Sequence, residues 1–158
     1  MTAGPVAVAR RDILSPKDAR HLMPWTDRER IFALCDGCGA CARTCPEGIV
    51  AIGRGGHPFV DFSTACTFCG DCARACTRGV FVSDRTLPWT ARAAVGDGCF
   101  EAHGISCRAC EDVCDLNALA FRPLPGGRAT VLVDDACTGC GACVSVCPPH
   151  AIEVTAHE

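Results

Sequence analysis

Tyrosine is missing from this 158-residue chain, lysine occurs once, and aromatic residues make up 6% of it. Leucine, isoleucine, valine and phenylalanine together total 34 residues. The core is therefore thin for the length, and something besides hydrophobic burial must supply much of the folding free energy. No apolar run approaches the roughly 20 residues that a membrane-spanning helix needs. Basic residues are in no excess, with 15 Lys and Arg against 18 Asp and Glu and a formal net charge of −3. That balance argues against a nucleic-acid partner. No Gly-x-Gly-x-x-Gly follows a strand pattern, no phosphate loop is present, and no acid, base or nucleophile stands out as substrate-activating. The chain is therefore not expected to be an enzyme.

What the chain has in quantity is cysteine. Its 16 cysteines fall into four tight clumps, and none is left over. Three clumps read Cys-x2-Cys-x2-Cys-x3-Cys: Cys35, Cys38, Cys41, Cys45; Cys66, Cys69, Cys72, Cys76; and Cys137, Cys140, Cys143, Cys147. The remaining clump, third in chain order, is Cys99, Cys107, Cys110, Cys114, which keeps the later spacings and stretches the first.

Cys-x2-Cys-x2-Cys lets a short loop wind around a cubane and present three thiolates to three of its irons. In two-cluster ferredoxins the fourth cysteine, three residues on, ligates the partner cluster. The proline that often follows it is present as Pro46 and Pro148, whereas Thr77 and Asp115 stand there in the other two clumps. Zinc sites usually pair two Cys-x2-Cys units across a longer spacer, and a disulfide framework needs an oxidising compartment. The radical-enzyme order, with the three-residue gap first, never occurs. The expected cofactors are four 4Fe-4S clusters, three from the regular clumps and a fourth from the stretched one. For the stretched clump a zinc site or a degenerate repeat stays open. Four oxidised cubanes held by thiolates would take the loaded protein to about −11.

The clumps belong to an internal repeat of strand, cysteine loop, helical turn and strand. Between clumps one and two, apolar residues 49–52 and 59–62 flank Gly53-Arg54-Gly55-Gly56. Between clumps three and four, residues 119–121 and 130–133 flank Pro125-Gly126-Gly127. Both read as hairpins. Between clumps two and three, Thr86-Leu87-Pro88-Trp89-Thr90 has no glycine turn and reads as a linker. The expected fold class is α+β: two ferredoxin-like modules with short strands and short helices built around 4Fe-4S clusters. They span 31–84 and 94–156, joined by a linker at 85–93 and preceded by a polar tail at 1–30.

Crossed ligation then predicts four sets: Cys35, Cys38, Cys41 with Cys76; Cys66, Cys69, Cys72 with Cys45; Cys99, Cys107, Cys110 with Cys147; and Cys137, Cys140, Cys143 with Cys114. A nested arrangement, first clump with fourth and second with third, is the alternative. In the tail, Arg10-Arg11-Asp12-Ile13-Leu14 resembles the start of a twin-arginine export signal. The stretch that follows is charged and interrupted, so the apolar region such a signal needs is lacking and a cytoplasmic location is expected. A helical turn is expected near residues 18–22, with Trp25 either covering a cluster or exposed. His21, His57, His103, His150 and His157 are read as solvated loop residues, because cysteine ligation is already complete.

The full pattern resembles the ferredoxin-type NapF proteins encoded with periplasmic nitrate reductase. The residues that carry the likeness are Arg10-Arg11-Asp12-Ile13-Leu14, Pro24-Trp25, Gly96-Asp97-Gly98-Cys99, Cys107-Arg108-x-Cys110 and Phe121-Arg122-Pro123. The resemblance implies a cytoplasmic accessory protein whose partner is the precursor of the molybdenum-containing nitrate reductase catalytic subunit. It would assist iron–sulfur cluster insertion or redox poising before that subunit is exported. The alternative is an electron-transfer polyferredoxin passing electrons between a donor and a reductase.

Overall fold

The structure, a computed structural model, describes residues 22–82 and 87–156. The Arg10–Leu14 feature, most of the turn expected at 18–22, His21 and His157 lie outside them. In chain order the helices are α1 (Arg28–Leu34), α2 (Ala40–Thr44), α3 (Asp71–Arg74), α4 (Ala109–Asp112) and α5 (Ala142–Ser145). The strands are β1 (Val50–Ile52), β2 (Pro58–Val60), β3 (Ala91–Val95), β4 (Leu119–Leu124), β5 (Arg128–Val133) and β6 (Ile152–Ala156). A 3-10 turn, Phe100–His103, lies between β3 and α4. The architecture is thus a mixture of short helices and short strands.

The glycine turns close two antiparallel hairpins. β1 pairs with β2 in the register Val50↔Val60, and β4 with β5 in the register Leu119↔Val133. The tip of the second hairpin needs Gly126 and Gly127, at φ of +80° and +72°, values that a side chain would strain. A third ladder joins β3 to β6, from Ala91↔Ala156 to Val95↔Ile152. Its inward residues alternate: Ala91 and Ala93 from one strand, Ile152 and Val154 from the other, are all buried. β3 therefore takes up the last residues of the stretch read as a linker. Its three alanines carry little strand propensity of their own, so the β6 partner decides its conformation.

Residues 22–30, read above as the end of a polar tail, are packed into the body of the protein. Met23 and Pro24 are fully buried, as is Ile31 in the first full turn of α1. Asp27 caps α1 by accepting from the Arg30 amide at 2.9 Å. The Thr26 hydroxyl donates to the Val80 carbonyl at 2.7 Å. The Val60 and Val82 amides donate to the carbonyls of Leu22 and Trp25 at 3.0 and 2.7 Å. Charge fills the second half of this segment, and Met23 and Pro24 in the first half point inward.

Two apolar clusters result. One gathers Met23, Ile31, Ile49, Val50, Val60 and Val80 around Cys41 and Cys72. The other gathers Ala93, Leu119 and Ile152 around Cys110, Cys143 and Cys147. Fully burying one aliphatic side chain contributes about 1.5–3 kcal/mol, while ordering one residue's backbone costs about 1–2 kcal/mol. Cores this small need the groups held by their cysteines.

Candidate iron–sulfur centres

The first cysteine loop starts where α1 ends, with the Cys35 amide donating to the Ile31 carbonyl at 3.1 Å. Asp36 accepts from the Cys38 amide at 3.2 Å and pairs with Arg78 at 3.1 Å. Hydrogen bonds from Cys38 hold the Asp36 carboxyl below its ordinary range. Gly37 adopts φ +73°, and a Cβ there would press to 3.3 Å on the Gly56 carbonyl oxygen. The loop lets α2 carry Cys41 inward while Cys38 stays exposed.

Cys35, Cys38 and Cys41 line a cleft of about 350 Å³ together with Cys76, the last cysteine of the neighbouring clump. Ile52, Pro58, Val80 and Phe81 form its apolar wall. A second cleft of about 340 Å³ is lined by Cys66, Cys69, Cys72 and Cys45. Trp25 stands over it with Pro24, Ile49 and Val60. In both loops an arginine five residues on clamps the middle cysteine's carbonyl: Arg43 to Cys38 at 2.8 Å, and Arg74 to Cys69 at 2.9 Å.

In the second half, the Cys110 thiol feels the charges of Cys99, Cys107 and Cys147, and the Cys143 thiol those of Cys137 and Cys140. Cys114 packs against the apolar cluster that holds Cys110 and Cys143. Backbone amides point at sulfur: Ala118 donates to Cys114 and Ala151 to Cys147, each at 3.3 Å, and Ala93 donates to Cys137 at 3.5 Å. Such bonds stabilise thiolates and tune the potential of any cluster bound to them.

Glu101, not singled out by the spacing, organises the stretched clump. It is buried within the 3-10 turn. Its carboxylate accepts from the Cys107 amide at 2.8 Å and faces Arg108 Nε at 3.5 Å. Arg108 lies over the Phe121 ring at 4.1 Å, a cation–π contact that ties the loop to the second hairpin. The inserted residues thus fold into a braced turn that returns Cys99 to Cys107 and Cys110. His103 bonds the Asp97 carbonyl at 2.8 Å. His150 lies just past the last clump at φ +51°, and His57 meets Phe32 edge-on.

Burial pushes Cys72 and Cys143 up to about 12, and Cys66 and Cys110 up to about 11, with neighbouring thiols adding in the same direction. Cys41 is raised for the same reason. Thiols this dry and this close cannot ionise together unless positive charge is placed among them. A core of several irons supplies that charge and fills a cleft; a single zinc would draw four sulfurs to about 2.3 Å from one point. Among the described residues, no group of three or more Cys, His, Asp or Glu converges to hold a single metal ion. The donor set fits iron–sulfur clusters.

Residues 34–81 and residues 105–155 each match a family described as 4Fe-4S dicluster domain. The fold and its thiol-lined clefts thus define a ferredoxin-type iron–sulfur protein with two dicluster domains, whose cofactors are 4Fe-4S clusters. Cys99 lies just upstream of the second matched stretch. The chain is 45% identical over 132 residues to the ferredoxin-type protein NapF of Haemophilus influenzae, covering 82% of this chain and 75% of the relative. It is 38% identical over 132 residues to NapF of Escherichia coli K12, covering 82% and 80%. The methylamine utilization ferredoxin-type protein MauM of Methylorubrum extorquens is 30% identical over 167 residues, covering 92% and 76%. The chain belongs to the NapF family of ferredoxin-type proteins. No helix among the described residues is long and apolar enough to cross a membrane.

Proposed function

We propose that this chain is a cytoplasmic iron–sulfur accessory protein of the periplasmic nitrate reductase system. It assists cluster insertion or redox poising of the molybdenum-containing catalytic subunit while that subunit is still an unexported precursor. Membership of the NapF family supports the system. The arrangement of the thiols carries the chemistry: three cysteines of one loop share a cleft with the last cysteine of another. Our reading assigns four clusters, held by Cys35, Cys38, Cys41 and Cys76; by Cys45, Cys66, Cys69 and Cys72; by Cys99, Cys107, Cys110 and Cys147; and by Cys114, Cys137, Cys140 and Cys143. These clusters supply one-electron chemistry when bound. The chain's own part is to exclude water with Trp25 and the apolar walls, and to set potentials through amide–sulfur bonds. The chain is not itself an enzyme in this reading, and its two dicluster units are the modules read at 31–84 and 94–156.

The deciding experiment is co-purification of the anaerobically loaded protein with the unexported precursor and, separately, with the mature catalytic subunit. Capture of the precursor alone is expected. Equal capture of the mature enzyme would favour the second reading, a polyferredoxin that cycles between a donor and a reductase. That reading draws on the abutment of the two units' cysteine loops, where the Cys66 amide donates to the Cys140 carbonyl. Fusing residues 1–40 to a reporter active only after twin-arginine export tests the location, and the reporter is expected to stay inside the cell.

A further inference from the structure

The two dicluster units meet at their cysteine loops, and the contact is built. The Cys66 amide donates to the Cys140 carbonyl at 2.7 Å. Cys66 opens the second clump and Cys140 sits in the middle of the fourth, so one hydrogen bond joins two ligand loops of different units. We propose that this junction wires the four cluster sites into a single electron relay, in the spatial order one, two, four, three. The inference rests on the four-cluster reading above and deepens it.

Three further observations single out this junction. At the position after the first x of the loop, clumps one and four carry Gly37 and Gly139, both left-handed at φ +73° and +69°. Clump two carries Phe68 there, still left-handed at φ +53°. A bulky residue is disfavoured in that region. The strain places the Phe68 ring edge-on to Trp89, at 5.6 Å and 90°.

Trp89 is the hub. Phe62 meets it at 6.1 Å from the first unit, and its indole N–H donates to the Thr138 carbonyl of the fourth clump at 2.8 Å. The fourth loop then closes on these rings with no room for a methyl group. A Cβ on Gly141 would fall 1.9 Å from Phe62 Cδ1, and one on Gly139 would fall 2.4 Å from the Ala91 carbonyl oxygen. Two loops packed this tightly, with half-buried aromatic rings at the seam, keep the two sites at a fixed short separation.

The order along the line follows. Sites one and two are linked through the exchange of Cys45 and Cys76, and sites three and four through that of Cys114 and Cys147. The Cys66–Cys140 bond joins two to four, which leaves one and three as termini. Each hop moves one electron: one site is oxidised by one as its neighbour is reduced by one, with no proton or atom transferred. A one-electron donor at one terminus and a one-electron acceptor at the other complete the balance.

The test uses the full-length protein, loaded anaerobically, assayed for iron and reduced stepwise with dithionite while paramagnetic resonance spectra are recorded. In the wild type, reduced clusters of different units are expected to show mutual spin–spin broadening. Phe68→Gly gives the second loop the residue its sister loops already carry, so folding and iron content should hold. It is expected to reduce the inter-unit broadening by about half or more, with the broadening inside each unit as internal reference. Trp89→Ala, outside every cysteine loop, should act in the same direction. Full iron content with spectra that sum two independent pairs, unchanged by either variant, overturns the relay alone. Iron well short of four cubanes, or stoichiometric zinc, overturns the underlying cluster reading and the relay with it.

Discussion

The halves of this protein share one cysteine grammar and close around it in different ways. The first, residues 22–82, has a hairpin of three-residue strands. It is completed by side chains: Met23, Trp25 and α1 cover its core, and Arg43 and Arg74 clamp its loops. The second, residues 91–156, has a hairpin of six-residue strands and the β3–β6 ladder. Backbone amides point at three of its sulfurs, and Glu101 braces its stretched loop. Ligand spacing thus constrains where thiols arrive, while the frame that delivers them is free to be a packed segment or a ladder. Equivalent lesions should therefore damage the halves by different routes.

Metal removal should erase the difference. Anaerobically purified protein is expected to hold about sixteen iron and about sixteen acid-labile sulfide per chain, from four cubanes. Chelation should abolish native circular dichroism in both halves together, because neither core is large enough alone. About twelve iron would mean that the stretched clump holds no cubane.

Truncation should separate the halves sharply. Deleting 1–28 removes Met23, Pro24, Trp25 and the Asp27 cap, and is expected to cost the first unit its two clusters while the second keeps its own. Deleting only 1–21 should leave iron content unchanged, which makes it the clean variant for asking whether the tail helps bind the precursor. At single-residue scale, Met23→Ala should destabilise the first unit by about 2–5 kcal/mol. Ala93→Pro should destabilise the second by about 1 kcal/mol or more, through the lost amide bond to the Cys137 sulfur. Denaturation followed at cluster-resolved signals would show each effect in its own half.

Crossed ligation gives a third contrast. Cys45→Ser should disturb the site shared with Cys66, Cys69 and Cys72 more than the site of its own clump, and Cys76→Ser should do the reverse. Loss confined to the mutated clump's own site would instead mean that each clump holds its own cluster.

Glu101→Ala tests a buried brace whose counterpart in the first unit, Asp36 on the Cys38 amide, is exposed. It strands the half-buried Cys107 amide, at a cost of about 1 kcal/mol, and should broaden or lose the third cluster's signal while spectra of the first unit stay as they were.

The smallest difference between halves is expected with pH. Cys72 in one half and Cys143 in the other are both pushed up to about 12 by burial. Burial favours the neutral form of both thiols. Cluster assembly runs the other way, since it must expel those protons. Reconstitution should therefore be faster at pH 8.5 than at pH 7, to a similar degree in both halves, with measurable proton release.

The candidate ligands were legible in the sequence because their pattern is local. Gaps of two and three residues constrain where consecutive thiols can reach, whatever surrounds them, and the glycines of the two hairpin turns announce their backbone angles by being glycines. The stretched clump's brace was less legible: Glu101 is one acidic residue among many until the 3-10 turn buries it beside the Cys107 amide. β3 was legible only in part: the repeat calls for a strand ahead of each cysteine loop, but Ala91–Val95 becomes one through pairing with Ile152–Ala156, far along the chain. Trp25 had two readings, and the structure takes the covering one, whereas Met23 lay inside a stretch read as a tail until the first core takes it in. Trp89 reads in sequence as part of a linker, and Phe68 as an ordinary residue between two cysteines. Only the packing of one unit on the other puts their rings in contact at the Cys66–Cys140 bond. The chain by itself determined which atoms can hold clusters, because covalent spacing does not depend on the fold. Tertiary structure alone decided which clumps meet across the two halves, because that depends on contacts between residues far apart in sequence.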